Sequence, residues 1–247
     1  MPDAGLILFD VDATLISTSR AGIRAMKLAA AEMFGPGVDL DRIEFAGKLD
    51  PLIITDVLNL ARVQVSPASI AAFHARYRHH LAAVLEHPAT IATALPGVMD
   101  LLNELERRSH LTLALLTGNY ADTGSLKLRA CGIDPGRFAM AIWASDAVGT
   151  PPSRDELPRV GLARWRERAG AQVSAARAVV IGDTPHDIRC AKVNGCRAIA
   201  VATGPFEVDA LASFQPDLAI EDLSDTRRVL ESIDRWTSPS SPREVAS

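Results

Sequence analysis

The chain has 247 residues, 48% of them hydrophobic and 23% charged, and its formal net charge is −4. That balance is too apolar for a disordered chain, and the mild acidity lacks the basic footprint of a nucleic-acid binder. No apolar run reaches the length of a membrane span, and the size suits one large domain or a core with a smaller insert.

Residues 6–9 form a short apolar run that stops at two aspartates, as a buried strand would. Ser17, Thr18 and Ser19 offer N-caps for a helix over 21–34, closed by Gly35-Pro-Gly37. The stretch 50–87 reads as helical, with Pro51 at a first helical position and Ser66-Pro67 restarting a helix after a turn. Pro96-Gly97 punctuates the chain before an amphipathic helix over 98–108.

Beyond it the pattern alternates. Strands are expected at 111–116, 140–143, 178–181, 198–201 and 218–220, with helices up to Cys131, over 155–169, over 187–194 and over 223–236. Strands alternating with helices predict an α/β fold, a doubly wound and mainly parallel sheet. The one long strand-free stretch predicts an inserted all-helical cap at 16–94, with the core at 1–15 and 95–236. The tail 237–247 lacks apolar periodicity and is expected to be disordered.

Three cysteines, Cys131, Cys190 and Cys196, form no CxxC pair. They argue against a disulfide framework or a thiolate zinc site and read as small buried hydrophobes. The amino terminus shows neither the basic nor the apolar region of a signal peptide, so a cytoplasmic location is expected.

In an open parallel sheet, ligands bind beyond the carboxyl ends of the strands. Those ends deliver Asp10-Val-Asp-Ala-Thr14, Thr117-Gly-Asn119 and Gly182-Asp-Thr-Pro-His-Asp187. Asp10 and Asp12 point the same way on an extended backbone, and crowded carboxylates call for raised pKa values or a cation. Hard oxygen donors suit Mg2+ rather than zinc. Thr14, Thr117, Asn119 and free backbone amides could then supply donors to a phosphate.

Phe9-Asp-Val-Asp-Ala-Thr-Leu15 resembles the first motif of the haloacid dehalogenase-like superfamily, Asp-x-Asp-x-Thr after a hydrophobic strand. Leu115-Leu-Thr-Gly-Asn119 resembles its second motif and Ile181-Gly-Asp-Thr-Pro-His-Asp187 its fourth. The phosphoglycolate phosphatase-like branch is the nearest likeness, because its helical cap follows the first motif. The resemblance implies a Mg2+-dependent phosphomonoesterase acting on a small phosphorylated metabolite.

On that resemblance Asp10 is the nucleophile that forms an aspartyl-phosphate, and Asp12 is the general acid and base. Mg2+ would be held by the Asp10 carboxylate, the Asp12 carbonyl and Asp183, with Asp187 in support. Thr117 would bind the transferring phosphoryl group, while Gly118 and Asn119 shape the loop. Phe45-Ala-Gly-Lys-Leu-Asp50 resembles a cap segment facing the site, making Lys48 a candidate substrate contact, with a solvated surface lysine as the alternative. No nucleic acid or membrane partner is expected, and the chain is a monomer or homodimer.

Two departures stand out. The family's usual third-motif Lys-Pro pair is missing; Thr150-Pro-Pro-Ser-Arg154 occupies its place, and Arg154 is the chosen cation, with Arg159 and Arg164 as rivals. Ala13 stands where Gly is usual, although Gly tolerates positive φ far better. His74, His79, His80 and His87 lack the i,i+4 spacing of helical metal ligands, and Lys127 and Lys192 read as surface or flank charges. The alternatives are a mutase of the β-phosphoglucomutase type, a catalytically weak relative acting as a binding protein, and a phospho-accepting receiver module. The receiver is disfavoured by the length and the 16–94 insert.

Overall fold

The computed structural model describes residues 4–169 and 174–238. In chain order the elements are β1 (Gly5–Phe9), β2 (Ile16–Ser17), α1 (Ala21–Phe34), α2 (Asp50–Leu60), α3 (Pro67–Glu86), β3 (Thr93–Ala94), α4 (Val98–Glu106), β4 (Leu111–Leu116), α5 (Ala121–Ala130), β5 (Met140–Ile142), α6 (Glu156–Ala169), β6 (Ala178–Gly182), α7 (Pro185–Val193), β7 (Arg197–Val201), α8 (Val208–Ala212), β8 (Leu218–Ile220) and α9 (Thr226–Thr237).

Six strands form one sheet in the order β5-β4-β1-β6-β7-β8, and every neighbouring pair is parallel. The central strand β1 is buried throughout, so both of its faces need apolar side chains. Alternation along the strand divides them. Ile7 and Phe9 join Val179, Ile181, Leu113 and Leu115 beneath α4 and α9, whereas Leu6 and Leu8 join Val180, Leu116 and Trp165 beneath α6 and α7. Each fully buried Leu, Ile or Phe contributes about 1.5–3 kcal/mol. The fold is therefore α/β and doubly wound.

Between β1 and α4 the chain builds three helices around their own apolar cluster. A row of alanines on α1 (Ala21, Ala25, Ala29) lets Phe73, Tyr77 and Leu81 of α3 pack closely, with Ile53, Ile54 and Val57 of α2 completing the cluster. Ser66 caps α3 by accepting from the Ser69 amide at 3.1 Å. The chain leaves and re-enters the sheet domain through β2 and β3, an antiparallel ribbon pairing Ile16 with Ala94 and Ser17 with Thr93. Two-residue strands carry no periodicity, which is why the sequence did not reveal them.

Several boundaries differ from expectation. No side chain caps α1: its N-cap is Arg20, held at φ 61°, while Ser17 lies in β2 and the Ser19 hydroxyl donates to the Ile91 carbonyl. Helix α7 starts at Pro185 behind Thr184, earlier than the expected 187, because Thr184 and Asp187 form a reciprocal capping box. Helix α8 was not anticipated. Helix α9 starts at Thr226, capped by Asp225, and ends on Thr237, which is fully buried and so is not tail. Residues 239–247 of the expected tail lie outside the described residues.

Candidate active site

In the parallel register of the sheet, Phe9 stands opposite both Leu115 and Ile181. The residues just beyond these three strands therefore reach one rim together. Asp10, Thr117 and Asp183 all sit there, and all are buried. The Asp10 amide donates to the Ile181 carbonyl at 2.9 Å, which pins the nearest backbone of the two acidic strand ends together.

Arg154 enters this rim from the segment before α6. One guanidinium nitrogen lies 2.5 Å from Asp187 Oδ1 and 3.1 Å from Asp10 Oδ1. The residue is only 7% exposed, and its buried Nε has no protein partner among the described residues. A buried guanidinium beside two carboxylates offsets part of their charge where the cavity begins. The rival arginines are turned elsewhere. Arg159 pairs with Glu156, while Arg164 binds Asp146 and the Ala141 carbonyl.

The opposite flank is organised by Asn119. Its Nδ2 donates to Asp12 Oδ2 and to Thr117 Oγ1, both at 2.8 Å. The Thr117 hydroxyl accepts there, which leaves its proton to donate toward the rim. Lys127 completes the arrangement by donating to Asp12 Oδ2 and to Asn119 Oδ1, both at 2.7 Å. The expectation that Lys127 is a surface charge is wrong: it is 5% exposed and lies on the buried face of α5 with Thr123, Gly124 and Leu128. A lysine in phase with small and apolar helix positions was the available signal. The other sequence-assigned flank charge, Lys192, does bind at the surface, to the Phe214 carbonyl.

Between this rim and the three-helix unit lies a cavity of about 660 Å3. Its core-side lining includes Asp10, Asp12, Thr117, Asn119, Arg154 and Asp183; Ile23, Met26, Phe45, Lys48 and Ile53 line the helical side. Lys48 reaches the cavity, and its ammonium is paired with Asp56 on α2. Gly118 is one contact between the two halves: a Cβ there would stand 2.5 Å from the Lys48 carbonyl oxygen. Sequence reasoning missed Asp50, whose amide donates to the Gly118 carbonyl at 2.7 Å and whose carboxylate accepts from the Tyr120 amide. His74 on α3 reaches Asp122 on α5, and His80 on α3 reaches Glu32 on α1.

Ala13 takes the conformation that a glycine would favour, with φ 57°. Its amide donates to the Ile16 carbonyl at 2.8 Å, and its own carbonyl accepts from the Thr203 hydroxyl at 2.5 Å. The loop that follows Asp12 is thus tied at both ends despite the side chain.

Oxygen atoms of Asp10, Asp183 and Asp187 lie within 4.8 Å of one another. Burial, reinforced by the neighbouring carboxylates, pushes Asp10 and Asp183 above the usual carboxylate range, and Arg154 opposes the shift only in part. Two buried acids crowded by a third are what a divalent cation neutralises. Asp187 has both oxygens committed, Oδ1 to Arg154 and Oδ2 to the Thr184 amide and hydroxyl. Asp10, whose Oδ1 meets Arg154, and Asp183, whose Oδ1 accepts from the Thr14 hydroxyl at 3.3 Å, each keep a second oxygen, and an all-oxygen donor set fits Mg2+.

A doubly wound sheet with buried aspartates, a threonine and an arginine at its carboxyl rim matches the arrangement that the sequence motifs predict. The profile of the haloacid dehalogenase-like hydrolases matches residues 7–201, and the chain belongs to that family. It is 30% identical to a 5'-nucleotidase of Pseudomonas aeruginosa over 94% of this chain and all of that protein. It is 28% identical to the pyrophosphatase PpaX of Bacillus velezensis over 89% of this chain and 93% of that one. Among solved structures it resembles a hydrolase from Pseudomonas syringae (TM-score 0.67, 19% identity, covering 93% of this chain and 99% of that one). It also resembles CbbY from Rhodobacter sphaeroides in complex with phosphate (TM-score 0.67, 23% identity, covering 90% and 96%). The chain is a phosphatase of this family.

Proposed function

We propose that this phosphatase is a Mg2+-dependent phosphomonoesterase that hydrolyses a small soluble phosphate ester through an aspartyl-phosphate on Asp10. The observation that carries the reading is the buried Arg154 guanidinium, which lines the cavity and lies 3.1 Å from Asp10. An Asp10 carboxylate oxygen attacks phosphorus, and the ester P–O bond breaks as Asp12 gives its proton to the leaving oxygen. Asp12 then takes a proton from water, whose oxygen displaces Asp10 from phosphorus and releases inorganic phosphate. Arg154 and the Thr117 hydroxyl hold the phosphoryl oxygens in line. Asp10, Asp183 and the Asp12 carbonyl would hold Mg2+, which when bound supplies charge neutralisation for the incoming phosphate. Asp187, anchored by Arg154 and Thr184, supports that set, and Gly118 lets the loop meet the helical unit.

In this reading residues 1–15 and 95–236 are the catalytic core, and 16–94 is a cap that selects the leaving group. The separate apolar cluster of the three helices and the two-stranded ribbon at their base support that division. Lys48, on the cavity wall beside Asp56, is a substrate contact. A small metabolite is the partner, without nucleic acid or membrane, for a monomer or homodimer. Three buried, unpaired thiols favour a cytoplasmic setting.

The test is p-nitrophenyl phosphate hydrolysis with and without Mg2+, on wild type and Asp10→Asn. Metal-dependent turnover that the variant loses supports the reading. Turnover that persists in Asp10→Asn overturns it.

A further inference from the structure

The buried Lys127 has no part in the chemistry described above, yet it sits within that machinery. Both of its short contacts serve one purpose. Asn119 Nδ2 and Lys127 Nζ donate to the same oxygen, Asp12 Oδ2, at 2.8 and 2.7 Å. Lys127 also donates to Asn119 Oδ1 at 2.7 Å, so the amide can face only one way, nitrogen toward Asp12. The three side chains close a triangle, while Asp12 stays 44% exposed along its side chain on the cavity wall. Oδ1 of Asp12 has no hydrogen bond among the described residues.

The helical unit makes room for this lysine. Gly22, near the start of α1, faces it: a Cβ there would stand 3.2 Å from Lys127 Nζ and 3.4 Å from the Tyr77 hydroxyl. Any larger residue at position 22 would press on the ammonium. Nζ of Lys127 gives its short hydrogen bonds to two acceptors, Asp12 Oδ2 and Asn119 Oδ1.

We propose that Lys127 is a positioning residue for Asp12: by filling Oδ2 it directs the proton traffic of the reaction to Oδ1, on the cavity side. This rests on Asp12 being the acid and base of the proposed phosphatase. Lys127 keeps its own proton throughout; the proton that moves passes between Asp12 Oδ1 and the leaving oxygen, and later between water and Oδ1.

The role has a signature that a purely structural lysine would lack. An alkyl phosphate leaves as a strongly basic alkoxide and needs the proton, whereas p-nitrophenolate leaves without one. With Mg2+ present, Lys127→Met is expected to lower turnover of an alkyl phosphate about 100-fold, the scale of a general-acid contribution. The rapid release of p-nitrophenol in the first turnover should keep its wild-type rate, with only the later steady state slowed. Lys127→Gln, which retains a shorter donor, should show the same selectivity in milder form, and thermal melting reports whether either variant folds. Equal losses on both esters, or no loss on either, would overturn the assignment of Lys127 alone. A wild-type protein without metal-dependent turnover of either ester would overturn the phosphatase reading, and this inference with it.

Discussion

Ala13 holds its backbone at φ 57°, where a Cβ crowds the carbonyl that follows. That conformation costs about 1–2 kcal/mol for a residue with a side chain, and glycine would give back about 0.4–1 kcal/mol in unfolded-chain entropy. Ala13→Gly is therefore expected to stabilise the protein by about 1 kcal/mol. Calorimetry should show Tm rising by about 2–4 °C for a chain of this size. A Tm that falls would mean that the Ala13 methyl makes contacts outweighing its strain. At the same scale, Arg154 replaces a Lys-Pro pair without loss of reach. One of its guanidinium nitrogens touches Asp10 and Asp187 together.

Asp50 shows how one element is fastened to another. It begins α2, its amide binds the Gly118 carbonyl, and its carboxylate accepts from the Tyr120 amide and the Thr123 hydroxyl. Through these bonds the helical unit is pinned to the loop after β4. Burial lifts the Asp50 carboxyl to about 6, only partly opposed by Lys127. A raised carboxyl binds its proton more tightly in the folded state. Its stabilisation is thus complete below the ordinary value near 3.8 and is lost as pH rises through 6. Asp50→Asn does not titrate, so the stability of wild type relative to this variant should fall by about 2 kcal/mol between pH 4 and 7. Urea denaturation at the two pH values measures it, and parallel curves would refute the assignment. The pattern of this pin was hidden in the sequence. Asp50 beside Pro51 looks like an ordinary helix start, and only the packing of α2 on the loop buries it.

At the scale of the whole molecule, folding brings Asp10 and Asp183 within ligating reach from strand ends 173 residues apart, both with raised pKa values. A cation that relieves this crowding binds only the folded chain. At 100 times its dissociation constant, Mg2+ should add about 2.7 kcal/mol, or roughly 5–10 °C in Tm. Differential scanning fluorimetry with and without Mg2+ tests this without any substrate. The rise should vanish in Asp183→Asn, and a rise that survives there would place the ion elsewhere.

Local pattern in the chain was enough for the six strands of the main sheet, their chemistry-bearing ends and the helical stretch between the first two of them. Apolar runs that stop at Asp10, Thr117 and Asp183 are local signals, and alternation with helices dictates a parallel sheet whose carboxyl ends share a rim. A cation before the strand that delivers Asp183 was legible too, with Arg154 as the first of three candidates. The tertiary structure alone decided which arginine turns inward, that Arg159 and Arg164 bind elsewhere, and that Lys127 is buried against Asp12. It also decided the β2–β3 ribbon and the Asp50 pin. Those features depend on contacts between residues far apart in the chain, such as Asp12 with Lys127 and Ile16 with Ala94. A lysine on a helix reads as solvated until the neighbouring helix, narrowed by Gly22, closes over it.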